Sequence, residues 1–419
     1  MITLIYNPLA VTTPKGPAPL RGTDLGRVQT IADSHILVKD GRIHAFLAKD
    51  APLPKRIDCF INATGKTVIP GLVDPHTHLV WGGGREEEFE LRATGVPYEE
   101  IARLGGGILN TVGQTRQAGE DTLRRAARAR LRRMMQNGTT TVEIKSGYGL
   151  TLADELKMLR VTDKLKQDSP VNIVSTFMPA HAVPPEYSSD RGAYIRHINE
   201  EMLPAVCEQG LADFYDVFCD SLAFSNQETE DMLLAARAAG LQLMLHADEI
   251  DDTGGTALAA RLNVRGAAHL LRASDDSIAQ LGSSETAAIL LPGTSFYIKK
   301  PFARAGYMKE KNCILALSTD LNPGSSHLER MPMAMFLAIW GYGLTVNEVL
   351  TAATLNSAYA LNMHQERGSL ETGKRADLLI LDCPNVKHLM YNYTANLVDV
   401  TMINGRCAYV RPGARGMCQ

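Results

Sequence analysis

The sequence predicts an α/β protein: a (β/α)8 TIM-like barrel with a small composite β-sandwich domain built from the two ends of the chain. Three observations carry that expectation. Short apolar runs alternate with helical stretches through the middle of the chain, hairpin signals mark both ends, and histidines and acids gather where the central runs stop.

The first hairpin signal is 36–46, where Asp40-Gly41 joins two alternating runs. At the other end, 376–382 and 400–409 read as strands, the second interrupted by an Asn404-Gly405 turn. Neither end can bury a core alone, so residues 1–66 and 366–419 are expected to pack together beside a barrel formed by 67–365. Candidate barrel strands are 68–76, 139–145, 172–178, 213–219, 241–246, 264–269, 287–291 and 313–319. Helical patterns separate them at 122–136, 152–167, 192–209, 226–239, 274–281 and 328–340. The long gap between the first two strands, about 80–120, predicts a lid or site wall. It is bracketed by Gly82-Gly83-Gly84 and Gly105-Gly106-Gly107. Neither triplet leads into Lys-Ser or Lys-Thr, so hinges fit better than a phosphate loop.

Bulk properties exclude several classes. With 419 residues, 45% hydrophobic, 21% charged and a net charge of -3, the chain has no electrostatic reason to bind nucleic acid or an anionic membrane. The basic stretch 124–133 sits in an Ala/Leu/Met background and reads as a solvated outer helix face. Seven scattered cysteines without a C-x-x-C pair suit a reducing compartment. No basic leader precedes the N-terminal apolar run, and no stretch is long enough to span a membrane, so a cytoplasmic location is expected. The sequence leaves a homodimer open.

Chemistry concentrates at the strand ends, where barrels of this kind place their sites. In Asp74-Pro75-His76-Thr77-His78, strand alternation sends both imidazoles to one side and Thr77 to the other. Later ends supply Lys145 and Tyr148, then His181, then His246 with Asp248 and Glu249, then His269, and finally Asp320 with Asn322 to Ser325. Five of the eleven histidines fall on these ends, which favours a site over scattered structural imidazoles. His76, His78, His246 and Asp320 make a metal set of three imidazoles and one carboxylate, with a position left for water. Plainer readings exist: His246 as a buried structural histidine, and Asp320 as a helix N-cap.

A water acidified by the metal needs a proton acceptor. Glu249, three residues past His246, is the candidate, unless it is a surface acid beside Asp248, Asp251 and Asp252. His269 can hold that water or stabilise an oxyanion. The fourth strand end, Val217 to Asp220, offers no lysine to bridge two metals, so one ion per subunit is expected. These donors suit Zn²⁺ and Fe equally.

These residues resemble the amidohydrolase superfamily and, within it, the imidazolonepropionase family. The motifs are Asp74 to Val80 with Arg85 to Glu90, Gly105 to Ile108, Glu143 to Leu150, Ala180 to Tyr187, His246 to Ile250, and Thr319 to Ser325. The similarity covers essentially the whole chain. It implies a metal-dependent barrel hydrolysing the cyclic amide C–N bond of 4-imidazolone-5-propanoate to N-formimidoyl-L-glutamate, a step of histidine degradation. It further implies Zn²⁺ or Fe on His76, His78, His246 and Asp320, with Glu249 meeting substrate and the attacking water. The leading expectation adds His269 orienting that water and Asp320 or Glu249 passing the proton to the leaving nitrogen. Substrate contacts are implied for Arg85, Tyr148, His181, Glu249, Asn322, Gly324 and Ser325, Arg85 taking the propionate as a carboxylate-binding guanidinium. Arg85 has a plainer reading as a lid salt bridge with one of Glu86 to Glu88.

The chain departs from the family pattern at Gly84, Pro179, Ala268 and 391–396. Those departures keep open a hydantoin- or thiohydantoin-5-propionate as substrate, with sulfide release from the thio compound. The reading from another class is an inert scaffold, which should have lost ligands; all four are present.

Overall fold

The computed structural model describes residues 1–96, 100 and 105–418. Eight strands form one parallel sheet in chain order: β1 (Leu72–Asp74), β2 (Thr139–Lys145), β3 (Asn172–Ala180), β4 (Phe214–Cys219), β5 (Gln242–Ala247), β6 (Gly266–His269), β7 (Ala287–Leu290) and β8 (Ile314–Leu317). All seven residues of β2 are buried, as a strand covered on both faces requires. The sheet's two edges, β1 and β8, meet through side chains. Asp74 accepts hydrogen bonds from Ser318 Oγ, from Thr319 N at 3.1 Å and from Thr319 Oγ1 at 2.6 Å, and Ser318 Oγ also donates to His76 O. One main-chain bond, from His78 N to Leu321 O at 2.9 Å, lies just beyond the strands.

Both ends of the chain contribute to the accessory sheets. One has four strands: Ile2–Tyr6, Ser34–Lys39, Arg42–Ala48 and Cys59–Asn62. The other joins Ala10–Pro14, Val28–Ile31 and Thr67–Pro70 to the C-terminal Leu378–Leu381, Val398–Ile403 and Arg406–Val410. Ile5, Ile36 and Val38 from the first sheet share a buried core with Val68, Leu378, Ile380 and Met402 from the second. Each such side chain contributes about 1.5–3 kcal/mol on burial, which is why neither half is complete alone.

Three readings change. The run 68–76 is two elements: Thr67–Pro70 pairs antiparallel with Leu378–Leu381, and the barrel begins at Leu72. Pro70 has no N–H to continue a ladder, and a Cβ at Gly71 would lie 2.2 Å from Thr140 Oγ1. The helix expected over 192–209 is Arg191–His197, a π-helical turn at Ile198–Met202, and Leu203–Glu208. The widened turn precedes Pro204, whose ring and missing N–H disfavour a regular turn. The basic stretch on Glu120–Gln136 is not wholly solvated, because Arg130 is buried. Its guanidinium lies 3.2 Å from the Trp81 ring centroid and donates to Leu79 O and Trp81 O. Arg130 thus braces the chain just beyond His78.

The insertion between β1 and β2 contains helices Glu86–Ala93 and Ile108–Gln117; part of the stretch expected over 80–120 lies outside the described residues.

Candidate active site

β1 delivers its histidines as the alternation requires. Thr77 turns toward β2, its N and Oγ1 donating to Glu143, while the rings of His76 and His78 point the other way, with centroids 5.5 Å apart. His246 comes from β5, and Asp320 follows β8. Their ligand atoms approach one another in pairs. His76 Nε2 is 3.6 Å and His78 Nε2 3.9 Å from Asp320 Oδ1, and His246 Nε2 is 3.3 Å from His78 Nε2. Ligands bonded at about 2.0–2.1 Å in a tetrahedron stand about 3.3 Å apart, so each spacing is of the size a divalent ion requires. Within 4.8 Å the ligand atoms form two triads that share His76, one with His78 and Asp320 and one with His246 and His269.

The electrostatics suit a cation. His76 Nε2 is buried without a hydrogen-bond partner. Burial holds His76 and His78 well below the usual imidazole range and lowers His246, leaving neutral rings with free lone pairs at physiological pH. Burial also pushes the Asp320 carboxyl up to about 7, despite the bond it accepts from Thr294 Oγ1. A positive ion in the centre would restore the carboxylate.

A chain of buried charges orients His246. Its Nδ1 donates to Asp216 Oδ1 at 3.0 Å; Lys145 Nζ lies 2.8 Å from Asp216 Oδ2 and 2.9 Å from Glu143 Oε1. Asp216 stays well below the usual carboxylate range because His246 and Lys145 outweigh its burial. With Nδ1–H fixed in this way, Nε2 is the nitrogen that faces the other ligands.

Glu249 lies 3.6 Å from His269 Nδ1 through Oε1. Its backbone is pinned by Asp220 at the end of β4, whose carboxylate accepts from the N–H groups of Glu249 (2.8 Å), Ile250 (3.0 Å) and Asp251 (3.3 Å). Burial, then the carboxylates of Asp320 and Asp220, push Glu249 up to about 8. Three residues here hold left-handed backbone without being glycine: Asp248 at φ 50°, His269 at 73° and Asp320 at 52°. Such conformations cost about 1–3 kcal/mol each and persist where surrounding bonds over-determine them.

Tyr148 and His181 form the opposite wall. The His181 ring stacks on His78 at 4.8 Å and lies 5.2 Å from Tyr148. Burial pushes its pKa down to about 3, so the neutral ring donates from Nδ1 to Gly147 O at 3.0 Å and leaves Nε2 free to accept. The loop carrying Tyr148 is fixed by Glu155, whose buried carboxylate accepts from Gly147, Gly149 and Leu150 N–H groups. Gly147 is at φ 104°, and a Cβ there would approach Met178 O at 2.9 Å.

His78, Tyr148, His181, His246, Glu249, His269 and Asp320 line one cavity of about 580 Å³, together with Arg85, Asn322, Gly324 and Ser325; His76 and the supporting acids Asp216, Asp220 and Glu155 do not reach its surface. The Asn322 side chain is spent internally, accepting from Gly324 N and Ser325 N and donating to Asp320 O, so it shapes the turn. Arg92, Arg272 and Lys300 add positive charge to the wall. The sequence reading missed Asp216, Glu155, Asp220 and Asp74. A carboxylate inside an apolar strand run, as in Phe214–Cys219, was the one available signal, because buried acids are rare without partners.

An eight-stranded parallel barrel with imidazoles and a carboxylate converging at its carboxyl end defines the class of barrel hydrolases. The chain belongs to the amidohydrolase family, whose sequence profile matches residues 67–408. Among curated relatives, it is 47% identical over 395 residues to an imidazolonepropionase of Symbiobacterium thermophilum, covering 93% of both chains. It is 42% identical over 409 residues to an imidazolonepropionase of Clostridium tetani, covering 97% of this chain and 98% of that one. Solved structures share the fold: guanine deaminase of E. coli, with a TM-score of 0.74 at 15% identity, covers 98% of this chain and 99% of its own. An adenosine deaminase from Xanthomonas campestris with bound zinc gives 0.70 at 18% identity, with 99% and 97% covered.

Proposed function

We propose that this chain hydrolyses the ring amide of 4-imidazolone-5-propanoate to N-formimidoyl-L-glutamate, with one Zn²⁺ or Fe held by His76, His78, His246 and Asp320. The observation that carries this reading is a single cavity lined by Arg85 together with Glu249, His78, His246 and His269, in a chain 43% and 47% identical to imidazolonepropionases. A divalent ion there supplies Lewis acidity to a carbonyl and acidifies water.

The side chains do the rest. Arg85 takes the propionate, and Tyr148 and His181 flank the planar ring, with His181 Nε2 placed to accept a ring N–H. With a cation among the imidazoles, the burial and neighbouring carboxylates that raise Glu249 are offset and its ionised form is favoured. In that form Oε1, beside His269 Nδ1, accepts the proton of the attacking water as the water oxygen bonds to the ring carbonyl carbon. When the adjacent C–N bond breaks, Glu249 returns that proton to the leaving nitrogen. Gly84, Pro179 and Ala268 are not among the residues that line the cavity, which supports the imidazolone over the hydantoin reading.

Among the described residues no helix is long and apolar enough to cross a membrane. All seven cysteines are free, as suits a reducing compartment such as the cytoplasm. The test is turnover of the metal-loaded protein with 4-imidazolone-5-propanoate, hydantoin-5-propionate and its thio analogue, metal content being measured on the same sample. Loss of the imidazolone with a gain of one water in mass is expected. Sulfide release from the thio compound without imidazolone turnover would replace this reading by a desulfhydrase. Inactivity of the fully loaded protein on all three would leave a scaffold.

A further inference from the structure

Glu88 is the buried residue of the lid helix Glu86–Ala93, three positions after Arg85 and four before Arg92. Its carboxylate takes Arg85 side-on: Nε donates to Oε1 at 2.9 Å and Nη2 to Oε2 at 2.7 Å, and the two side chains are only 8% and 7% exposed. Oε1 also accepts from the backbone N–H of Gly107 at 3.0 Å, and Arg92 Nη2 lies 3.9 Å from Oε2. The lid helix and the start of helix Ile108–Gln117 therefore meet on one carboxylate.

A guanidinium has two edges that can each grip a carboxylate, the side edge of Nε and Nη2 and the end edge of Nη1 and Nη2. Glu88 occupies the side edge. The end edge remains, and it lies against the turn after β8: a Cβ on Gly324 would sit 2.1 Å from Arg85 Nη1. Arg92 caps the same turn by donating from Nη1 to Gly324 O at 2.8 Å. An arginine at the head of an exposed helix would otherwise sample many rotamers, and ordering it on binding costs about 0.5–1.5 kcal/mol or more.

We propose that Glu88 is a positioning residue: it locks Arg85 with its end edge facing the cavity beside Gly324, and it ties the lid to Gly107, so that the site is pre-formed for a ligand's carboxylate. This rests on the assignment of Arg85 as the carboxylate anchor made above. Glutamine at 88 keeps the size but offers one acceptor oxygen where Arg85 and Gly107 bring three N–H groups. Aspartate keeps the charge but falls one methylene short.

The experiment is a double-mutant cycle on the full, metal-loaded chain with Glu88→Gln and Arg85→Lys. Turnover of 4-imidazolone-5-propanoate is read alongside calorimetric binding of 3-(imidazol-4-yl)propanoate and of 4-methylimidazole, which lacks the carboxylate. Glu88→Gln should raise KM and weaken imidazolylpropanoate binding by about 10–100-fold, with kcat within threefold and 4-methylimidazole binding unchanged. In the Arg85→Lys background the same change should cost less than threefold. Equal losses in both backgrounds, a fall in kcat at constant KM, or equal weakening of both imidazoles would overturn the inference.

If Glu88→Gln does not fold, Glu88→Asp is read by the same criteria. If the parent protein binds imidazolylpropanoate but does not turn over the imidazolone, the proposed reaction fails while the binding cycle still decides the role of Glu88. If the parent binds both imidazoles equally, Glu88 has no such role whatever the turnover.

Discussion

Asparagine at position 216 would separate the orienting role of a buried carboxylate from its role as a counter-charge. Asp216 accepts from His246 Nδ1 at 3.0 Å and faces Lys145 Nζ at 2.8 Å. The amide can keep an oxygen toward only one of them. If that oxygen serves His246, the NH2 group opposes an ammonium, and one charge-assisted bond worth about 1.5–3 kcal/mol is lost. Lys145 keeps Glu143 at 2.9 Å, so the stability cost should fall below the ~3–5 kcal/mol of a fully orphaned buried charge. His246 becomes a less basic ligand, and changes of this kind lower metal affinity about 10–100-fold, or about 1.4–2.7 kcal/mol. The assay equilibrates parent and Asp216→Asn protein with Zn²⁺ buffered by a chelator series and reads bound metal after desalting, with urea unfolding of the metal-free forms in parallel. An affinity within twofold of the parent, alongside lowered stability, would refute the orienting role and leave Asp216 as a partner of Lys145 alone.

Other expectations follow from the same geometry. Glu249→Gln should cut kcat by about 10²–10⁴-fold with KM within threefold, as loss of a proton carrier requires; a KM effect alone in steady-state assays would contradict it. Metal affinity should fall at least about tenfold per pH unit below about 7, where Asp320 takes up a proton, while His76 and His78, held well below the usual imidazole range, do not compete; a flat competition titration between pH 5 and 7 would contradict this. In the metal-free protein burial raises Asp320 to about 7 and Glu249 to about 8, above their unfolded values, so their stabilising contribution is full below about pH 4, declines as pH rises and is gone above about 8. Calorimetry should show a loss of melting temperature from pH 6.5 to 8.5 that shrinks in Glu249→Gln. Arg130→Met should cost about 2–3 kcal/mol in urea unfolding, through two unsatisfied carbonyls and a lost cation–ring contact.

What the sequence made legible is what short-range periodicity encodes. Alternation anticipated that His76 and His78, just beyond the end of β1, project to one side and Thr77 to the other, and the apolar runs located the seven later barrel strands to within a few residues. Two boundaries failed where a proline overrode the apolar pattern, at Pro70 and Pro204. The supporting acids were illegible for a different reason. Glu155 and Asp220 act by collecting backbone N–H groups, and Asp216 through partners on other strands, so their roles exist only once the chain is folded. Arg130 misled because helical charge patterning gives no sign that Trp81 lies beneath it.

The seam at Asp74 has a consequence for chain entropy. His76 and His78 stand on one side of the junction and Asp320 on the other, with the whole barrel sequence between them. An ion shared by those side chains is a cross-link across a very long loop, the kind of closure that removes most freedom from an unfolded chain. Unlike a disulfide, it can be withdrawn by a chelator. Such an ion would add to the Asp74 hydrogen bonds that already close the ring, so its supply would tune how firmly the first strand is held to the eighth.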